Sequence, residues 1–311
     1  MYVVMYHYVR KIKDSKYPGI KGLELDYFKQ QLDFFKNNGF EFATVQDIYE
    51  NKIKDNSVLL TFDDGYMDHY ENVFPLLHNN GIQGVFSMPG KIIRESKVLD
   101  VNKIHFILEK SDIQLVKNAL FKKMDFYRGN EFDIPDNQTI YEKLAFPNRF
   151  DDKDTIFVKR TLQVELPERL RNIITEELFK EFVTDDEKLF VKELYLSIDH
   201  IKEMKKSGMI FGFHGYDHYW MNRLTKEELV EDINKGMEVF DGIIDSKDWI
   251  CCYPYGSCSD EVITTIKEMG ATMGLATKVA KYNPYEDSIF EIPRFDTNDF
   301  PPKSENYKKE C

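Results

Sequence analysis

Val58-Leu59-Leu60-Thr61-Phe62-Asp63-Asp64-Gly65 is an apolar run that ends on two adjacent carboxylates and a glycine. Residues 58–62 suit a short strand buried on both faces, as in a parallel sheet. Neighbouring carboxylates repel each other, so their place directly behind such a strand needs something that favours both. A divalent cation does this: one Asp ligates the ion and the other stays free as a base toward water. The competing reading is an ordinary Asp-Asp-Gly turn whose carboxylates bond to backbone amides.

Working outward, residues 2–6 form a further apolar strand, and residues 26–38 an amphipathic helix with Phe28, Leu32 and Phe35 on one face and Gly39 as its stop. A helix over 70–80 ending at Gly81 and a strand over 84–88 continue the alternation. It resumes late in the chain with a strand over 209–213. A helix follows, opened by the Thr225/Glu228 capping box and carrying Leu229, Ile233, Met237 and Phe240 at helical spacing. Strand 249–253, helix 259–269 with Gly270 behind it, and strand 272–275 complete the series. Such alternation predicts an α/β fold of parallel strands and crossover helices, as an open sheet or a barrel. Residues 99–196 interrupt it with a Lys-, Glu-, Asp-, Phe- and Leu-rich tract whose stretches 104–108 and 170–182 are helix-like. That tract reads as a mostly helical insertion within one domain spanning 1–311.

Composition narrows the partners. The 311 residues carry 42 Lys and Arg against 54 Asp and Glu, a net charge of -12 that disfavours a nucleic-acid partner. No apolar run approaches the ~20 residues needed to cross a bilayer, and the first residues lack a signal-peptide succession. The cytoplasm is the expected compartment. Cys251, Cys252, Cys258 and Cys311 show no metal-type spacing, and adjacent Cys251 and Cys252 leave a strand on opposite faces; all four read as free thiols.

Two further clusters also follow predicted strands, where α/β proteins place their active sites. In His214-Gly215-Tyr216-Asp217-His218 two imidazoles four apart can converge on one ion if the chain turns helically; a chance pair of packed or surface His competes. One Asp with two His makes a set for Zn²⁺ or a similar divalent ion that leaves room for water and substrate. Tyr253-Pro254-Tyr255-Gly256 is a tight turn able to aim a backbone N–H into a site, although alone it reads as a plain loop.

Together and in this order, these clusters resemble the polysaccharide deacetylase, or NodB homology, family. The resemblance covers residues 2–88 and 196–294. It implies a distorted (β/α) barrel and removal of acetyl groups from N-acetylated sugars. It makes Asp63 the general base, Asp64, His214 and His218 the metal ligands, and the backbone N–H of Tyr255 an oxyanion donor. Cys252 stands where many members have the Arg that holds the catalytic Asp; Arg294 could supply that guanidinium from another strand, or form an ordinary salt bridge. Gly215 replaces a Ser or Thr. No His follows His218 to serve as acid. His7, in Met5-Tyr6-His7-Tyr8, fits the rearranged branch of the family in which an N-terminal Tyr-His motif supplies it, if the first strand closes beside the last. Tyr66, Tyr216 and Trp220 flank the motifs as rings for stacking on a sugar, core packing being the alternative. Asp68 and His69 read as supporting groups behind the first motif or as polar groups at a helix N-terminus.

The expected activity is metal-dependent hydrolysis of an N-acetyl group on a sugar or glycan precursor. Two alternatives stand beside it: a catalytically silent carbohydrate-binding protein on the same scaffold, and a hydrolase of another small amide such as an N-formyl sugar.

Overall fold

The computed structural model describes residues 1–148 and 151–309. The chain divides into two compact units, the first built from Met1–Ile12, Lys21–Ser96 and the chain from Lys192 onward, the second from Lys13–Ile20 and Lys97–Val191. The tract expected as an insertion over 99–196 lies in the second unit up to Val191, and Lys13–Ile20 joins it there.

The first unit is organised by strands β1 (Tyr2–Tyr6), β2 (Val9–Arg10), β3 (Leu23–Glu24), β4 (Glu41–Phe42), β5 (Ser57–Phe62), β6 (Gly84–Met88), β7 (Ile210–Phe213), β8 (Trp249–Cys252), β9 (Ala271–Leu275) and β10 (Phe295–Asp296). Among the described residues they form an eight-stranded sheet in the order β10-β1-β5-β6-β7-β8-β9, with β4 beside β5, and a β2-β3 pair. Every pairing is parallel. β5 shows why the apolar run reads as it does: all six of its residues are buried, as expected for a strand covered on both faces. The expected α/β fold is therefore present, as a parallel half-barrel. β1 does not lie directly against β9. Instead Ile292 bridges Leu275 at the end of β9 and Phe295–Asp296 pairs with β1, so residues 292–296 connect the two edges.

The helices follow local chemistry. Thr225 caps Lys226–Val239 in the expected capping box with Glu228, and Ser259 caps Asp260–Glu268 by accepting from the Val262 N–H. The helix expected over 70–80 is two pieces, a π-helical turn His69–Val73 running into Phe74–Asn79. Periodicity cannot distinguish a single wider turn from a continuous α-helix.

The second unit is helical. Asp112, Asp136 and Asp152 accept the first free N–H groups of Ile113–Tyr127, Asn137–Leu144 and Lys153–Arg160. Asp100–Lys110 and Glu168–Phe182 pack around Phe106, Phe179 and Phe190, whose rings meet edge to face. Lys103, 5% exposed, ion-pairs with Glu176 and, at 3.0 Å, with Glu187; Lys97 reaches Glu187 at 2.5 Å. Burial would raise the Glu176 carboxyl, but the bond to Lys103 and its charge bring it down to about 2. The stabilisation is complete above the unfolded Glu value of about 4.3 and disappears as pH falls toward that lower value. Lys103→Met, which keeps the stem and removes the charge, is expected to cost about 2 kcal/mol at neutral pH, below the usual loss for a broken buried pair because Lys97 remains. Urea denaturation of the two proteins measures the difference.

Among the described residues, no helix is long and apolar enough to cross a membrane. Cys251, Cys252 and Cys258 are free thiols, and Cys311 lies outside the described residues.

Candidate active site

The parallel sheet gathers every cluster at one edge, beyond the C-terminal ends of its strands. Asp63 and Asp64 follow β5, His214 follows β7, and Tyr253 to Gly256 follow β8. The β1–β5 register pairs Tyr6 with Phe62, and the Asp63 N–H donates to the Tyr6 carbonyl at 2.9 Å, so His7 and Asp63 leave adjacent strands side by side.

Asp64, His214 and His218 converge, with ligand atoms all within 4.8 Å of one another and the three side chains buried. The Nε2 atoms of His214 and His218 lie 3.4 and 3.3 Å from Asp64 Oδ1. That oxygen is buried and has no hydrogen-bond partner, a costly state unless something else satisfies it. Its sister Oδ2 accepts from the Tyr66 hydroxyl at 2.5 Å. His214 Nδ1 faces the Cys252 carbonyl at 2.7 Å, so Nδ1 carries the proton and Nε2 presents its lone pair. A divalent ion fits this donor set, since ligands bound tetrahedrally at about 2.0–2.2 Å lie roughly 3.3–3.6 Å apart.

The backbone is bent to make this possible. Asp64, His218 and Tyr255 are non-glycine residues at φ 72, 60 and 57, in the left-handed region that side chains disfavour. Gly65 follows at φ 68, where an added Cβ would stand 2.5 Å from Met88. Gly215 at φ 74 occupies the position expected for a hydroxyl residue, and the turn's geometry favours glycine there. Asp232 holds the same loop by accepting from the Tyr216 and Asp217 N–H groups at 2.8 and 3.2 Å.

Asp63 lies beside this set, its carboxylate, His214 and the Cys252 thiol also having ligand atoms within 4.8 Å of one another. Arg294, 1% exposed, lies 2.9 Å from both of its oxygens through Nη1, which also reaches Thr61 Oγ1 at 3.2 Å. Arg294 Nε donates to the Ala276 carbonyl at 2.8 Å. The Cys252 thiol sits 3.3 Å from Asp63 Oδ1. Burial would raise the Asp63 carboxyl, yet Arg294, then His214 and His7, hold it down at about 2. One carboxylate is thus aimed at the ion site and its neighbour is kept ionised beside it.

The aromatic residues divide. Tyr66 is 0% exposed, stacked on Tyr8 at 4.0 Å and against Tyr195 at 6.1 Å, so it supports Asp64 and offers no ring to a sugar. Tyr216, 5% exposed with its hydroxyl on Glu95, is likewise internal. These two correct the expectation of stacking rings. Trp220 is half-buried and lies parallel to Tyr255 at 4.6 Å, and Tyr255 meets the His218 ring edge-on at 4.8 Å. The supporting roles of Tyr66 and Asp232 were missed in the sequence. Tyr66 could have been found, since a hydroxyl two residues past a ligand in a tight turn is well placed to reach it. Tyr66→Phe removes that bond and is expected to weaken divalent-ion binding by about 10–100-fold. Competition for Zn²⁺ against a chromophoric chelator measures it, and unchanged affinity would mean the hydroxyl does not orient Asp64.

A parallel α/β sheet thus carries, at its strand ends, a buried Asp-His-His set whose spacing suits a divalent ion. Residues 50–121 and 175–274, more than half of the chain, match the polysaccharide deacetylase family, and the protein belongs to it. YxkH of Bacillus subtilis (strain 168), whose name assigns it to the polysaccharide deacetylases, is 27% identical over 96 residues. That match covers 29% of this chain and 32% of YxkH, so the chain spans about a third of that relative's length. The fold is similar to that of the Streptococcus pyogenes deacetylase PplD, solved in complex with acetate (TM-score 0.55, 14% identity, 99% of this chain and 96% of that one). It is also similar to IcaB from Ammonifex degensii (TM-score 0.56, 18% identity, 99% and 94%). A de-N-acetylase from Aggregatibacter actinomycetemcomitans shares it as well (TM-score 0.56, 18% identity, 98% of both chains).

Proposed function

We propose that the protein is a metal-dependent hydrolase that removes the N-acetyl group from a sugar or glycan precursor. One observation carries the reading: a buried, unpartnered Asp64 oxygen faces two imidazole nitrogens at ligand-to-ligand spacing, while Asp63 is ionised separately beside it. Asp64, His214 and His218 hold the ion, Zn²⁺ being the leading choice for a nitrogen- and oxygen-donor set of this size. Such an ion supplies Lewis-acid polarisation of a carbonyl and acidification of water. The Asp63 carboxylate takes the proton of the attacking water, positioned by Arg294 and the Cys252 thiol. The Tyr255 N–H donates to the oxygen that gains charge as the tetrahedral centre forms. Amide nitrogen leaves poorly unless protonated, and the His7 ring, as in the rearranged branch with an N-terminal Tyr-His motif, delivers that proton. The Trp220–Tyr255 pair lines the approach beside His218 as the sugar-facing surface.

The N-acetyl sugar reading also draws on the acetate held by PplD and on the activity stated for the Aggregatibacter protein. Protein loaded in turn with Zn²⁺, Co²⁺ and Mn²⁺ is incubated with short N-acetylglucosamine oligomers, and released acetate is quantified. Acetate that appears with an ion and stops on chelation is the expected result. No acetate with any of these ions overturns the reading, and formate release from N-formyl analogues alone would reassign the acyl group.

A further inference from the structure

The turn that follows Asp63-Asp64 reaches back onto the chain that carries His7. The His69 ring faces the His7 carbonyl, with Nε2 2.9 Å from the oxygen. A carbonyl only accepts, so Nε2 carries the proton and donates. Asp68 Oδ2 accepts from the Val9 N–H at 3.1 Å and from Arg10 Nε at 2.7 Å. Asn72 Nδ2 donates to the Val9 carbonyl at 2.9 Å. Three side chains within five residues therefore hold four polar groups of residues 7–10. The segment needs such anchoring, because β1 ends at Tyr6 and His7 and Tyr8 lie outside any strand.

His69 is built for this contact. It is 0% exposed, and its ring lies 5.5 Å from that of Phe62, 5.6 Å from Tyr66 and 5.7 Å from Phe86. Burial lowers its pKa to about 4, so it is neutral at ordinary pH and adds no charge beside His7. Nδ1 is buried without a hydrogen-bond partner, so the bond to His7 is the ring's polar contact. The π-helical turn His69–Val73 begins at this residue, and turns of this kind concentrate at functional sites.

We infer that His69, aided by Asp68 and Asn72, is a positioning residue that fixes His7 beside Asp63 for proton delivery to the leaving amine. The inference rests on the reading of His7 as the acid. It also gives the first motif a second role, since the turn that presents base and ligand anchors the acid from another strand. A merely structural anchor would affect every reaction of the site equally. A positioning residue for the acid affects only reactions whose leaving group must be protonated.

The test compares two substrates on the Zn²⁺-loaded protein: an N-acetylglucosamine oligomer, whose amine needs a proton, and 4-nitrophenyl acetate, whose phenolate leaves without one. His69→Phe keeps the packing and removes the donor. It is expected to lower kcat on the oligomer by about 10- to 100-fold with KM unchanged, the scale of a misplaced catalytic group. Hydrolysis of the aryl acetate stays at the wild-type rate, and His69→Gln, whose amide can donate from a similar position, recovers the oligomer rate. A crystal structure of His69→Phe shows residues 7–10 displaced, with Asp64, His214 and His218 in place. Equal losses on both substrates, an unchanged oligomer rate, or residues 7–10 undisturbed would overturn the inference. If the wild type releases no acetate from the oligomer while the variant's segment is displaced, the deacetylase reading falls and the anchoring role stands. Should His69→Phe not fold, Asn72→Ala carries the same comparison, with a smaller loss of the same signature.

Discussion

Asp63→Asn lowers the rate of acetate release by about 10³-fold, within the usual worth of a general acid–base group, and leaves ion binding intact. The two halves of that expectation come from different atoms. In the proposed site the ion is held through Asp64, whose free oxygen faces His214 and His218, and Asp63 is not among those three ligands. The asparagine would keep the shape of the side chain and a carbonyl oxygen for Arg294 and Cys252, but it cannot accept a proton from water. The fold loses something as well, because Arg294 keeps neutral acceptors alone, the amide oxygen, Thr61 and the Ala276 carbonyl, within its buried site. A buried charge without its counter-ion is costly, so a modest drop in melting temperature accompanies the loss of rate. Acetate release, Zn²⁺ stoichiometry and thermal unfolding on one preparation separate the effects. A variant as fast as the wild type would remove Asp63 from the base role. A variant that no longer binds Zn²⁺ would show that the two carboxylates act jointly.

Much of this site was legible because its parts are local. A buried strand ending in Asp-Asp-Gly and another ending in His-x-x-x-His each place their side chains at a strand terminus, and parallel pairing brings such termini together. β1, β5, β6 and β7 fall within a residue or so of the bounds read from apolar runs. What was not legible depends on distant contacts. Phe295–Asp296 is a two-residue strand, too short for any periodicity, yet it pairs with β1 near the end that leads to His7. Tyr66 and Trp220 look alike as aromatic residues next to motifs. Only the fold shows that Tyr8 and Tyr195 cover the first while the second remains half-exposed. In the sequence His69 reads as a supporting group behind the first motif or a polar group at a helix N-terminus; its partner, a backbone carbonyl 62 residues away, leaves no trace in local pattern.

Arg294→Met is expected to destabilise the protein by about 3–5 kcal/mol, the cost of leaving a buried carboxylate without its cation. Asp63 is 2% exposed at its side chain and Arg294 1%, so water cannot screen the loss. The methionine fills the stem's volume, which confines the change to charge and hydrogen bonds. Catalysis falls too, because Asp63 is then oriented by the Cys252 thiol at 3.3 Å, a weak donor. Cys252 supplies the second arm of the test. By the family resemblance it occupies the place of an Arg that would hold the catalytic Asp, and its side chain already touches the same carboxylate. If the requirement is a guanidinium at Asp63 irrespective of the strand that delivers it, Cys252→Arg in the Arg294→Met background restores part of both stability and rate. Cys252→Arg alone is expected to destabilise, since two guanidinium groups would compete for one carboxylate in a closed site. The non-additivity of the pair, read from urea denaturation of the four proteins, isolates the shared interaction. Additive effects would mean that Arg294 and position 252 act on different groups, and the guanidinium would lose its place as the support of the base.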